Sequence, residues 1–159
     1  ITVKYKTPNT LGKDRLAGVV AAAVLYPNKN VLVIDAGSCI TMDYIDKNKV
    51  YFGGRISPGI EMRYNSLKKF TKNLPKLTIN TSFNLIGNDT NSSIVSGVQS
   101  GILAEVETII TDLRKENESL FVVVTGGDTI FFENTLKNSI FADPFLVMKG
   151  LNEILKYND

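Results

Sequence analysis

Asp14 and Arg15 stand together behind Gly12-Lys13, and Asp35 closes the apolar run Val31-Leu-Val-Ile just ahead of Ala36-Gly37-Ser38. An acid beside an arginine can take a proton from a hydroxyl while the guanidinium grips a carboxylate at two points. An acid on a glycine-bearing turn can hold a cation that screens phosphate charge, with backbone N–H groups and the Ser38 hydroxyl as further donors. These are the parts of a phosphoryl-transfer site, where a protein mostly positions and neutralises. Tyr5 adds an aromatic wall with a hydroxyl, and Gly12 permits close backbone approach. Gly126-Gly127-Asp128, after another apolar run, could receive the flat face and ribose of a nucleotide, since glycines leave it unobstructed. Gly12-Lys13 is not a Walker lysine, because no glycine-rich loop ending in Gly-Lys-Ser/Thr leads into a helix.

Each feature also has a plainer reading. Asp35-Ala-Gly-Ser38 fits an ordinary hairpin turn with a solvent-facing acid. Asp14 suits a helix start through capping and the macrodipole, and Asp128 could be an N-cap. Gly53-Gly54 with Ser57-Pro58-Gly59 makes either a bulge and turn or a loop lining a ligand, and Thr90 is most simply the N-cap of a long helix.

Composition narrows the chemistry. The 159 residues contain no histidine, so carboxylates must do any neutral-pH proton transfer. Eighteen basic residues against sixteen acidic ones, with the lysines scattered, argue against a nucleic-acid partner. Cys39 is the single cysteine, which points to a reducing, cytoplasmic setting. No apolar run approaches the roughly 20 residues of a membrane helix and no charged-then-apolar leader opens the chain, so no membrane partner is expected. An apolar content of 43% in a chain of this size suits one globular unit.

The elements that must position these residues follow from periodicity. Residues 1–12 read as extended, and Lys13 to about Leu25 as a helix that Pro27-Asn28 stops. Val31–Asp35, Cys39–Ile45 and Val50–Arg55 form a three-stranded meander. Ile60, Tyr64, Leu67 and Phe70 mark a helix, and residues 91–115 a longer one whose Leu103 and Ile110 widen the apolar arc toward a symmetric dimer interface. Leu120–Thr125 reads as a buried strand, followed by a helix through Leu136, a short strand Phe145–Val147 and a closing helix Leu151–Tyr157. The order predicts an α/β domain, a mixed sheet covered by helices, of the ribonuclease-H-like, actin-like type.

Tyr5, Thr10-Leu-Gly-Lys-Asp14-Arg15, Asp35-Ala-Gly-Ser38-Cys-Ile-Thr41-Met-Asp43, Gly53-Gly-Arg-Ile-Ser-Pro-Gly59, Ile86-Gly-Asn-Asp-Thr90 and Thr125-Gly-Gly-Asp128 together resemble type III pantothenate kinases, in that family's motif order. The resemblance implies an actin-like ATPase fold of the acetate and sugar kinase type, and ATP-dependent phosphorylation of pantothenate, the first step of coenzyme A synthesis, by a homodimer that needs a monovalent cation (K+ or NH4+) and Mg2+ with ATP. Asp14 corresponds to the proton acceptor. Tyr5, Gly12, Lys13, Asp14, Arg15 and Thr90 correspond to pantothenate contacts, Thr90 across the dimer interface. Asp35 matches the cation ligand, and Ser38, where threonine is usual, the ATP contact. Gly126 and Gly127 belong with the nucleotide.

The family's opening Asp-x-Gly-Asn-Thr phosphate loop has no counterpart before Ile1. The chain therefore reads as an incomplete fragment, with residues 1–30 a substrate-loop segment and helix leading out of a first domain and residues 31–159 a second actin-like domain. Alone it is expected to fold but to lack kinase activity. Two alternatives stand beside this reading: a non-catalytic regulatory or binding protein of the same fold, and another kinase of the same superfamily.

Overall fold

The structure is a computed structural model that describes residues 1–158. Its centre is a six-stranded sheet in the order β1-β4-β3-β2-β5-β6, formed by β1 (Thr2–Val3), β2 (Val31–Ala36), β3 (Cys39–Ile45), β4 (Val50–Pro58), β5 (Phe121–Thr125) and β6 (Phe141–Ala142). Only β3 runs against the other five. Setting aside the short edge strand β1, the order is third, second, first, fourth, fifth with the second reversed, which is the ribonuclease-H-like arrangement. The carboxyl ends of the five codirectional strands thus share one edge, where ligands of α/β sheets generally bind.

Alternation along the strands divides the core. Leu32 and Ile34 of β2, Ile40 and Met42 of β3, and Val122 and Val124 of β5 face helices α2 (Ile60–Phe70), α3 (Thr90–Glu116) and α4 (Thr129–Thr135). Val31, Val33, Ile45 and Val123 face α1 (Lys13–Leu25), with Leu146 from α5 (Leu146–Asn158). The first layer is built from Ile, Val and Phe. In the second, α1 offers Ala21, Ala22 and Ala23, and Gly150 of α5 lies so close to Ala17 that an added Cβ would sit 1.9 Å from its carbonyl oxygen. Small side chains there bring two helices and the sheet into close contact. Residues 1–30 belong to this layer, β1 extending the sheet beside β4 and α1 lying against β2 and β3.

The helix bounds match the sequence periodicity at Lys13–Leu25 and Ile60–Phe70, and the meander forms with β4 three residues longer than expected. Three expectations fail. Phe145–Val147 is not a strand: Asp143 accepts the Phe145 N–H at 3.1 Å and pairs with Lys149 at 2.7 Å, starting α5 at Leu146. The last strand is instead Phe141–Ala142, beside Val123–Val124. Asp89, not Thr90, caps α3 in a reciprocal pair with Ser92, whose N–H it accepts at 3.0 Å.

The third concerns the apolar arc of α3. Ile110 is fully buried, which removes it from any dimer interface, while Leu103 is partly buried against the core. By length and composition α3 could cross a membrane, contrary to the reading of the sequence, yet its Ile94, Val98, Ile102, Val106 and Ile110 form the packed row against the sheet.

Candidate active site

Alternation places Asp35 of β2 and Asp43 of β3 on the α1 face of one hairpin, in the cross-strand pairs Asp35–Thr41 and Asp43–Val33. Arg15, in the first turn of α1, reaches down to Asp43. Its Nε donates to both carboxylate oxygens, at 3.0 and 3.2 Å, and Nη2 to Oδ1 at 2.6 Å. The Tyr51 hydroxyl donates to the same Oδ1 at 2.6 Å. Both charged side chains are nearly inaccessible, 6% and 2% exposed, and the hydrogen bonds it donates to Asp43 hold the guanidinium firmly protonated. Burial, followed by the bond to Asp43, pushes the Tyr51 phenol well above its ordinary value.

Tyr5 lies over this pair. Its ring stacks on Tyr51, with centroids 6.2 Å apart and planes 10° from parallel, and the Arg15 guanidinium sits 5.6 Å from its centre. A β-bulge at residues 51–53 makes Gly53 the surface against which the ring rests, so the Gly53-Gly54 pair is a bulge that shapes a wall. The double grip expected of Arg15 toward a substrate carboxylate is, in this structure, made to Asp43. Nη1 alone has no hydrogen bond among the described residues.

Asp14 is placed differently. It is exposed in the first turn of α1, and its Oδ1 accepts the Arg15 N–H at 2.8 Å, which suits the positive helix end. Gly12 makes this possible, because an added Cβ would lie 2.4 Å from that oxygen. Lys13 is exposed beside it.

Asp35 ends β2 half-buried, and no described residue donates a hydrogen bond to its carboxylate. Burial, then the charges of Asp14 and Asp43, raise its pKa. Across the strand pair, Gly126 adopts φ +93° and comes so close that a Cβ would meet Asp35 Oδ1 at 2.5 Å. The Asp128 N–H donates to the Ala36 carbonyl at 2.9 Å, fastening the two strand ends together. Gly127 and Ser38 are exposed at the same edge. Asp128 opens α4 without a side-chain capping bond, and burial, then Glu61, raises its pKa. A hard oxygen donor whose charge is left uncompensated beside two further acids could hold a hard cation. No cluster of three metal-ligating side chains occurs among the described residues, so further ligands to such an ion would be backbone carbonyls, substrate or water.

The structure therefore brings Tyr5, Gly12, Asp14 and Arg15 together over the sheet, with Asp35, Ser38, Gly126 and Gly127 at the adjoining strand ends. Thr90 is apart from them. It is exposed at the start of α3 and lines a cavity of about 860 Å³ with Arg63, Leu67, Gly87, Ser93 and Gly97. Asp43 and Tyr51 carry roles that the motif reading did not assign. The available signal was an acid at the sheet-interior position between Thr41 and Ile45.

A sheet with one reversed strand and acids gathered where its codirectional strands end defines an α/β domain of the ribonuclease-H-like, actin-type class. The chain belongs to the type III pantothenate kinase family, whose sequence profile matches residues 1–112. The type III pantothenate kinase of Phocaeicola vulgatus is 51% identical over 159 residues, covering 100% of this chain and 66% of the relative, and that of Christiangramia forsetii is 51% identical over 155 residues, covering 98% and 64%. The chain thus spans about two thirds or slightly less of these relatives' length. A Campylobacter jejuni structure described as a Baf family transcriptional activator superposes with a TM-score of 0.71 at 28% identity, covering 99% of this chain and 68% of its own.

Proposed function

We propose that the protein carrying this chain phosphorylates pantothenate to 4'-phosphopantothenate with ATP, the first step of coenzyme A biosynthesis. The observation that carries the reading is the exposed Asp14 carboxylate, held by the Arg15 N–H in the first turn of α1, next to the arginine that packs on Tyr5 and near enough to raise the Asp35 pKa. Asp14 accepts the proton of the substrate hydroxyl as it attacks the γ-phosphate. Tyr5, Gly12, Lys13 and Arg15 form the acceptor wall. Ser38, Gly126 and Gly127 receive the nucleotide, which arrives with Mg2+. Asp35 is the ligand for K+ or NH4+, whose charge offsets that of the acids and phosphates gathered there.

The same reading makes the protein a cytoplasmic homodimer, with Thr90 completing the partner's acceptor pocket, and treats residues 1–30 as the segment leading into the second domain at 31–159. Its support is the bare outer face of α3: a Cβ on Gly97 or Gly101 would meet nothing within 4 Å, and Gly97 and Thr90 line the same cavity.

A second reading, a non-catalytic regulator on the same fold, is favoured by the description of the Campylobacter jejuni structure. An assay of pantothenate-dependent ADP release by the whole protein, in potassium and in sodium, decides between them. Turnover that requires potassium is expected. Absence of turnover in either salt favours the regulator.

A further inference from the structure

Asp43 is the charged side chain most completely withdrawn from water among the described residues, and it touches the site. It accepts three hydrogen bonds from Arg15 and one from Tyr51, and an added Cβ on neighbouring Gly54 would lie 2.6 Å from its Oδ1, so its surroundings are closed. Both of its partners pack on Tyr5, Tyr51 by stacking and Arg15 by its guanidinium face. The arrangement makes one carboxylate the common support of two side chains that form the acceptor wall. Arg15 has many rotamers and would lose its orientation without that fork, and Tyr5, itself half-buried near the chain start, would lose what it rests on.

We infer that Asp43 is a positioning residue for the acceptor substrate: it fixes Arg15 and, through Arg15 and Tyr51, the Tyr5 ring, without touching the substrate. The inference rests on the proposed pantothenate kinase reading. Pantothenate carries its carboxylate at the end away from the hydroxyl that is phosphorylated. Wall contacts to parts of the substrate away from the reacting hydroxyl are made equally in ground and transition states, so their loss raises KM and largely spares kcat. A carboxylate that served folding alone would alter stability and leave the KM for pantothenate in place.

The test is Asp43→Asn in the whole protein, with steady-state kinetics for both substrates and circular dichroism as a check of folding. The expected result is a KM for pantothenate raised about 10- to 100-fold, as for loss of an orienting partner or a displacement of about 1 Å, with kcat lowered less than about threefold and the KM for ATP unchanged. Tyr51→Phe, which removes one hydrogen bond and keeps the ring, should raise the same KM by about two- to fivefold, and it carries the test if Asp43→Asn does not fold. A folded variant with an unchanged KM for pantothenate overturns the inference alone. A wild-type protein that does not turn over pantothenate overturns the proposed function and this inference together.

Discussion

Asp35 and Asp43 occupy the two strands of one hairpin, face the same helix and have opposite electrostatic surroundings. Asp43 is almost inaccessible and has its charge matched by a bidentate arginine and a tyrosine hydroxyl. Asp35 is only half-buried, accepts no hydrogen bond from a described residue, and is held near Asp14 and Asp43, so its ionised form is disfavoured. Burial by itself does not separate a structural acid from a functional one. What separates them is whether the fold supplies the opposite charge. Where it does, the acid fixes geometry; where it does not, the carboxylate keeps a raised pKa that a bound cation would lower.

Four measurements test this contrast. The largest effect is expected at Asp14, the exposed acid on the uncompensated side. Asp14→Asn in the whole protein should lower kcat by about 10²–10⁴-fold with little change in pantothenate binding, because the amide keeps the shape and cannot take the proton. Near-normal turnover would remove Asp14 from the reaction. On the compensated side, Asp43→Ala leaves Arg15 charged and buried without a partner. Denaturant unfolding should show a loss of about 3–5 kcal/mol, and a loss under 1 kcal/mol would mean that the pair is not dry.

Tyr51→Phe removes a hydrogen bond to a charged acceptor and should cost about 1.5–3 kcal/mol in the same experiment. The smallest effect has the opposite sign. Folding raises the Asp35 pKa, so the folded chain holds that proton more tightly than the unfolded chain. Its stabilising effect is complete below the ordinary value of 3.8 and is lost as pH rises through the folded value. Asp35→Asn should therefore melt a few degrees higher than wild type at neutral pH, with the gain fading as pH falls toward 3.8, while potassium-dependent turnover is lost. A lower melting temperature at neutral pH would show that Asp35 is already compensated.

Much of this was legible in the residues themselves. Periodicities of 3.6 and 2 report which face of an element is buried, and each is a local property, so α1, α2 and the strands of the meander could be read directly. Asp14 was recognisable because it stands beside Arg15 behind Gly12-Lys13, and Asp35 and Ser38 because they flank Ala36-Gly37 at the end of an apolar run. The strand Phe145–Val147 failed for a related reason: three apolar residues fit a strand or the first turn of a helix equally well, and only the Asp143 turn decides.

Composition and order supplied the chemical groups available to this chain, with no histidine and with acids at element ends. Tertiary structure decided which acid was left unpaired. Arg15 and Asp43 are far apart along the chain, and nothing local says that the helix start will descend onto β3 and claim that carboxylate instead of the nearby Asp14 or the cross-strand neighbour Asp35. Electrostatic pairing depends on distance in space and on exclusion of water, and both exist only once the sheet and α1 have packed.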